Sequence, residues 1–227
     1  MKKILLLTIA SALWVVHARA QTSDHLWGAI FYTAKLTDKW GLIGDIQWRS
    51  KDDMKEMSSF IIRPGVSYNF TKQLSASAGY AFIPTDYTHD VVPEHRVWEQ
   101  LIFAHKNEIL GSTNTSFAHR LRMEHRWVPT HVTEHDHDYL KSNRFRYFIR
   151  TITPLFSKEL TANTFFLSLQ NEVFLNLKGS NFDQNRAYLA AGYRFSKKFD
   201  GEMGYMHTSM SNNTTRSILQ IAGYVRL

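Results

Sequence analysis

Residues 117–127 run Phe117-Ala118-His119-Arg120-Leu121-Arg122-Met123-Glu124-His125-Arg126-Trp127. Split by parity, Phe117, Leu121, Met123 and Trp127 fall on one side, while Arg120, Arg122, Glu124 and Arg126 fall on the other. Successive side chains of a strand point to opposite faces, so this segment predicts a strand lying between an apolar and an ionic environment.

The division extends in both directions. Phe145, Tyr147, Ile149 and Leu155 oppose Arg144, Arg146 and Arg150, and Phe165, Leu167, Leu169, Val173, Leu175 and Leu177 oppose Ser168, Gln170, Glu172 and Asn176. Ala187, Leu189, Ala191, Tyr193 and Phe195 oppose Gln184, Arg186 and Arg194. Upstream, Trp40, Leu42, Gly44, Ile46 and Trp48 oppose Asp45, Gln47 and Arg49, and the row Phe60 to Phe70 opposes Arg63, Ser67 and Asn69.

Between these segments one phrase recurs four times: Leu36-Thr37-Asp38-Lys39-Trp40, Phe70-Thr71-Lys72-Gln73-Leu74, Phe156-Ser157-Lys158-Glu159-Leu160 and Phe195-Ser196-Lys197-Lys198-Phe199. Each copy sets three small, polar or charged residues between two apolar ones, which is the signature of a hairpin turn. The chain is therefore expected to be an all-β meander.

A soluble sandwich also alternates, but it turns its apolar face inward. Four features favour the opposite arrangement, an antiparallel up-and-down transmembrane β-barrel of about 10–12 strands. The strands are long. Trp40, Trp48, Phe70, Tyr80, Trp127, Tyr147 and Phe195 cluster near strand ends, as in the aromatic girdles of outer-membrane barrels. Residues 1–20 have the form of a cleaved signal peptide, with Lys2 and Lys3, an apolar run from Ile4 to Val16, and Ala18-Arg19-Ala20 before Gln21. Finally, Leu219, Ile221, Gly223, Val225 and Leu227 alternate with Gln220, Ala222, Tyr224 and Arg226 to the end of the sequence.

The chain has 227 residues and no cysteine, which excludes a disulfide framework and an acylated N-terminal cysteine. Residues 21–227 are expected to form a single barrel domain, and no later stretch reaches the roughly 18 to 20 apolar residues of a membrane helix. The net charge is +7. Its lysines lie largely in turns and its arginines at alternate strand positions, which describes a barrel interior and not a nucleic-acid surface. The expected partners are outer-membrane lipids and, through the C-terminal strand, the outer-membrane insertion machinery; no cofactor is expected, and the oligomeric state stays open.

With Glu94-His95-Arg96-Val97-Trp98-Glu99-Gln100, His119 to Arg126, Asn171-Glu172-Val173-Phe174-Leu175-Asn176 and Phe182-Asp183-Gln184-Asn185-Arg186 in view, the chain resembles domain-of-unknown-function family 2490. The resemblance covers essentially the whole mature chain. It implies an outer-membrane β-barrel and carries no activity, because the family's function is not established.

The main candidate site is the lumen-facing set Glu94, Arg96, Arg120, Arg122, Glu124, Arg126, Arg144, Arg146, Arg150, Glu172 and Arg186. Arginine and glutamate on neighbouring strands form bidentate pairs, so this set fits a network that fills a narrow lumen. Eight arginines against three carboxylates also fit a narrow, anion-favouring pore. The run His131-Val132-Thr133-Glu134-His135-Asp136-His137-Asp138 offers His131, Glu134, His135 and His137 as weak metal ligands. An outer-membrane lipid-modifying enzyme would need a serine beside a histidine on the outer face, whereas His119 and His125 share the outward phase and Ser168 the inward one.

Short turns of such barrels lie in the periplasm and long loops outside. The four pentapeptides and a turn near His105 to Gly111 would then be periplasmic, and 50–58, 84–93, 128–139, 178–183 and 210–215 external. This gives ten strands from Trp40 to Leu227. Residues 25–36 would make an eleventh, so either they lie within the lumen or the count is twelve.

Overall fold

Eleven strands close into one barrel in the computed structural model, which describes residues 22–51, 56–87, 90–109, 113–133, 136–179 and 181–227. They are β1 (Thr22–Lys35), β2 (Trp40–Ser50), β3 (Met57–Asn69), β4 (Leu74–Asp86), β5 (Val91–Ile109), β6 (Thr113–Thr130), β7 (Asp138–Pro154), β8 (Thr164–Asn176), β9 (Phe182–Arg194), β10 (Phe199–Met210) and β11 (Thr215–Arg226). Consecutive strands pair antiparallel. The leader 1–20 lies outside the described residues.

The place of residues 25–36 is a correction. They neither lie in the lumen nor imply a twelfth strand: β1 is part of the wall, pairing antiparallel with β2 and parallel with β11 from Thr22↔Thr215 to Thr33↔Arg226. In an up-and-down meander of odd count the first and last strands run the same way, so closure has to be parallel. Closure leaves no row of unpaired backbone groups. At the seam Leu227 N donates to Thr33 O at 2.8 Å, Lys35 N donates to Leu227 O at 3.2 Å, and the rings of Phe31 and Tyr224 stack at 4.9 Å.

Three pentapeptides make the same turn. In each, two successive amides donate to one carbonyl: Leu36 and Thr37 to Trp40 O, Phe70 and Thr71 to Leu74 O, and Phe195 and Ser196 to Phe199 O, at 2.9–3.2 Å. The hydroxyl of Thr37 accepts from Trp40 N at 2.9 Å, that of Thr71 from Leu74 N at 2.9 Å, and that of Ser196 from Lys198 N at 3.2 Å. A hydroxyl that satisfies a turn amide explains the fixed Thr/Ser. The fourth copy departs from the pattern. It lies within the longer connection between Pro154 and Thr164, where Phe156 has φ 60° and is 99% exposed, and Leu155 N bonds Phe165 O across the base. The turn expected near His105 to Gly111 falls at the end of that range, because β5 continues to Ile109 and β6 starts at Thr113.

The parity of the sequence maps directly onto the wall. Ile46, Ile62, Leu101, Leu121, Leu169, Leu189 and Ile221 are exposed on the outside, while Asp45, Arg63, Gln100, Arg122, Glu172 and Gln220 are buried inside. Close approach across the inner wall depends on missing side chains. A Cβ at Gly65 or Gly79 would stand 2.5–2.6 Å from the Trp98 ring, and one at Gly192 would stand 2.2 Å from Phe166. These glycines let the rings of Trp98 and Phe166 approach the neighbouring strands closely.

The cysteine-free chain allows a direct check of the seam. A Gly28→Cys, Ile221→Cys pair occupies directly opposed positions of β1 and β11 and should form an intramolecular disulfide on mild oxidation, because the Gly28 position has open space for a side chain. Gly28→Cys with Val225→Cys, four residues out of register, should stay reduced. Equal yields from the two pairs, read by gel shift under non-reducing conditions, would contradict the parallel register.

Candidate functional site

The registers of β5 to β9 decide which charges meet. Arg122 stands opposite Arg146 and Arg96 opposite Arg126, and like charges directly across a ladder repel. Arg146 and Arg126 therefore reach diagonally to Glu124 and Glu94, whereas Arg144 stands directly opposite Glu124. Arg146 donates from Nη1 to Glu124 Oε1 at 2.5 Å, and from Nε and Nη2 to the two oxygens of Glu172 at 3.0 and 2.8 Å. Glu124 Oε2 also accepts from Arg144 Nε and Nη2 at 3.1 and 2.7 Å, and Arg96 Nη1 stands 3.5 Å away.

Two further carboxylates complete this region. Glu94 takes Arg96 Nε at 2.7 Å and Nη2 at 2.8 Å, and Arg126 Nε at 2.6 Å. Glu172 also takes Arg120 Nη2 at 2.7 Å. Ten of the eleven sequence-predicted residues thus join ion pairs or carboxylate hydrogen bonds or, for Arg122, bond an amide: its Nε and Nη2 donate to Gln100 Oε1 at 2.9 and 2.6 Å. The eleventh, Arg186, is placed over the rings of Phe174 and Trp27 at 4.7 and 5.1 Å.

Several participants lie outside the candidate set, although Asp45, Arg49 and Arg63 are on the polar phase of their strands. Asp45 faces Arg63 at 3.7 Å, Asp183 Oδ2 accepts from Arg144 Nη1 at 3.0 Å, and Glu202 accepts from Arg150 Nη2 at 2.6 Å and from Tyr224 OH at 2.7 Å. Arg49 and Arg63 join the expected arginines, so arginine still exceeds carboxylate inside. At the turn end Asp200 holds Arg194 through two bonds at 2.8 and 2.9 Å, and Arg226 at 2.6 Å.

Aromatic rings form the other half of the filling. Arg144 and Arg146 lie 5.0 and 4.4 Å from the Phe174 centroid, Arg122 lies 4.9 Å from Trp98, Arg120 4.5 Å from Phe148, Arg150 4.2 Å from Tyr224 and Arg49 4.0 Å from Trp27. A ring face attracts a guanidinium most strongly where water is excluded. Trp98, Phe148, Phe174 and Tyr224 share parity with the charged residues of their own strands, which is the signal that identifies them as inward.

The interior is divided along its length. Toward the loop end, Glu124, Phe174, Ile61, Val92 and Ile218 are at most 2% exposed. Toward the turn end lies a cavity of about 340 Å³, whose lining runs from Trp27 and Arg49 down to Thr33, Val225 and Arg226.

The other candidates remain separate. His131 and His137 are exposed in the β6–β7 connection, Glu134 and His135 lie outside the described residues, and among the described residues no three potential ligands gather. Ser168 is fully buried against Arg150 Nε, whereas His119 bonds Tyr147 OH on the outside, so the serine and the histidine are on opposite sides of the wall. Also outside, His125 bridges Asn143 at 2.9 Å and Glu99 at 3.2 Å.

Removing one partner of a buried charge network leaves the others uncompensated. Glu124→Gln strips Arg144 and Arg146 of a shared carboxylate, and urea unfolding in detergent should show a loss of about 3–5 kcal/mol. Glu99→Gln breaks an exposed pair and should cost less than about 1 kcal/mol. Similar losses for the two would remove Glu124 from the centre of the network.

No curated protein and no solved structure matches the chain. A family model described as protein of unknown function (DUF2490) matches residues 24–218, from the start of β1 into β11. The chain belongs to that family.

Proposed function

We propose that the protein is a small outer-membrane barrel whose lumen is closed by its own ionic and aromatic packing, so that it does not serve as a general pore. The observation that carries the membrane placement is the outer surface. Ile30, Ile46, Ile62, Tyr80, Leu101, Leu121, Tyr147, Leu169, Leu189, Met203 and Ile221, one on each strand, are 38–53% exposed all the way round. A continuous apolar belt of this kind is unfavourable in water and is what a bilayer covers. An ionic interior under an apolar exterior inverts the soluble arrangement.

The signal-like residues 1–20 support export, and outer-membrane lipids are then the partner of the belt. In this reading β11, with Ile221 and Leu219 facing outward, is the segment offered to the insertion machinery. The three tight turns and the connection between Pro154 and Thr164 share the periplasmic side, and the connections that follow β2, β4, β6, β8 and β10 lie outside. What speaks against conduction is the packed loop-end half, where Glu124 and Phe174 are each 1% exposed.

Two measurements test this. Protein purified from the outer-membrane fraction should migrate differently on gels before and after boiling; recovery in the soluble periplasmic fraction would defeat the placement. In planar bilayers the folded barrel should give no unitary conductance steps in potassium chloride, whereas steady steps would show an open pore.

A further inference from the structure

We propose that the turn-end cavity is a binding site for a small organic oxyanion, a phosphate monoester or carboxylate, that enters from the end of the barrel carrying the tight turns. The interior does not satisfy its own cations there. Arg49 Nε, Arg120 Nε, Arg122 Nη1 and Arg186 Nε are buried without a hydrogen-bond partner, as is Trp98 Nε1, and all five residues line the cavity. A buried donor left unmade costs the full desolvation of that group, and more when the group is charged. The guanidinium groups that carry these atoms line the cavity, and one oxyanion accepts from several arginine forks at once.

The surrounding pairs sharpen the assignment. Among the described residues Arg122 hydrogen-bonds the neutral amide of Gln100, and Arg49 donates from Nη2 to the amide oxygen of Gln47 at 2.8 Å. Arg186 lies against the rings of Trp27 and Phe174. The carboxylates that line the same cavity, Asp45 and Glu172, are engaged by Arg63 at 3.7 Å and by Arg120 and Arg146 at 2.7 and 2.8 Å. Positive charge is therefore left over on Arg49, Arg122 and Arg186.

Size and lining indicate the rest of the ligand. A cavity of about 340 Å³ lies at the lower end of small-molecule sites and is far larger than one water needs. Trp27, Phe31, Phe148 and Tyr224 supply ring faces beside the arginines, which suits an anion that carries a compact apolar body. The exposed Thr33 belongs to the lining and marks the mouth, whereas the packed Glu124 and Phe174 lie at the other end.

The side of entry rests on the orientation proposed above, but binding itself does not. Calorimetric titration of the folded barrel in zwitterionic detergent, with heat-modifiable migration as the folding control, reads binding whether or not the membrane placement holds. Phenyl phosphate should bind saturably, tighter than inorganic phosphate, and benzyl alcohol should give no comparable heat. Arg49→Gln and Arg186→Gln should each weaken phenyl phosphate at least tenfold, with Arg122→Gln as a further variant, whereas Lys39→Gln on an exposed turn should leave it unchanged. Absence of saturable binding to the native barrel would overturn the proposal. So would equal affinity for benzyl alcohol, or affinity that survives all three arginine substitutions in folded protein.

Discussion

A single carboxylate organises the interior. Glu124 is 1% exposed and is shared by Arg144 and Arg146, which in turn reach Asp183 and Glu172 on the following strands. Ionised groups are kept inside a protein only where partners replace the water they lose. In a barrel the partners have to come from adjacent strands, so the network constrains the stagger of every ladder from β5 to β9. The diagonal reach of Arg146, past the arginine directly opposite, is what one stagger permits and a one-residue slip would remove. A slip would also turn the apolar row of each strand inward.

The wall imposes a second constraint through its count. Eleven strands close only with one parallel ladder, and parallel pairing is slightly weaker per residue than antiparallel pairing. The seam is reinforced by side chains on both strands. Phe31 stacks on Tyr224, and Trp27 joins Tyr188, Ala190, Met206 and Ile218 in one buried cluster. Trp27 also carries the guanidinium of Arg49, so the strand that closes the barrel helps to hold one of the under-compensated cations. Closure and the chemistry of the cavity thus meet at the same residue.

Legibility in the sequence followed the strength of alternation. Residues 117–127 and 144–150 place every arginine and glutamate on one parity and all the large apolar residues except Phe148 on the other, so their faces are readable. His25-Leu26-Trp27-Gly28-Ala29-Ile30-Phe31 is nearly uniformly apolar, so its two faces look alike and its membership of the wall was not. Asp200 and Glu202 share their parity with Gly204, Met206 and Thr208, so the inward phase of β10 is ionic only in its first half and is poorly marked. The fourth pentapeptide shows a limit of local motifs. Ser157 still accepts a turn amide, from Glu159 at 3.3 Å, but the strand ends beside it are set by the β7–β8 ladder and fall too far apart for a tight turn.

The sequence by itself determined the all-β class, the inversion of polar and apolar faces, three of the turns and most members of the inner charged set, because each depends on neighbours within a few residues along the chain. Only the tertiary structure decided the number of strands, the parallel seam and the pairing of charges. Those depend on stagger accumulated round the whole barrel, which places Arg150 beside Glu202 and Arg144 beside Asp183 although they are distant in sequence. The same stagger leaves Arg49, Arg122 and Arg186, a grouping that no single strand contains, round one cavity with no carboxylate hydrogen bond among the described residues, although Arg186 stands opposite Glu172.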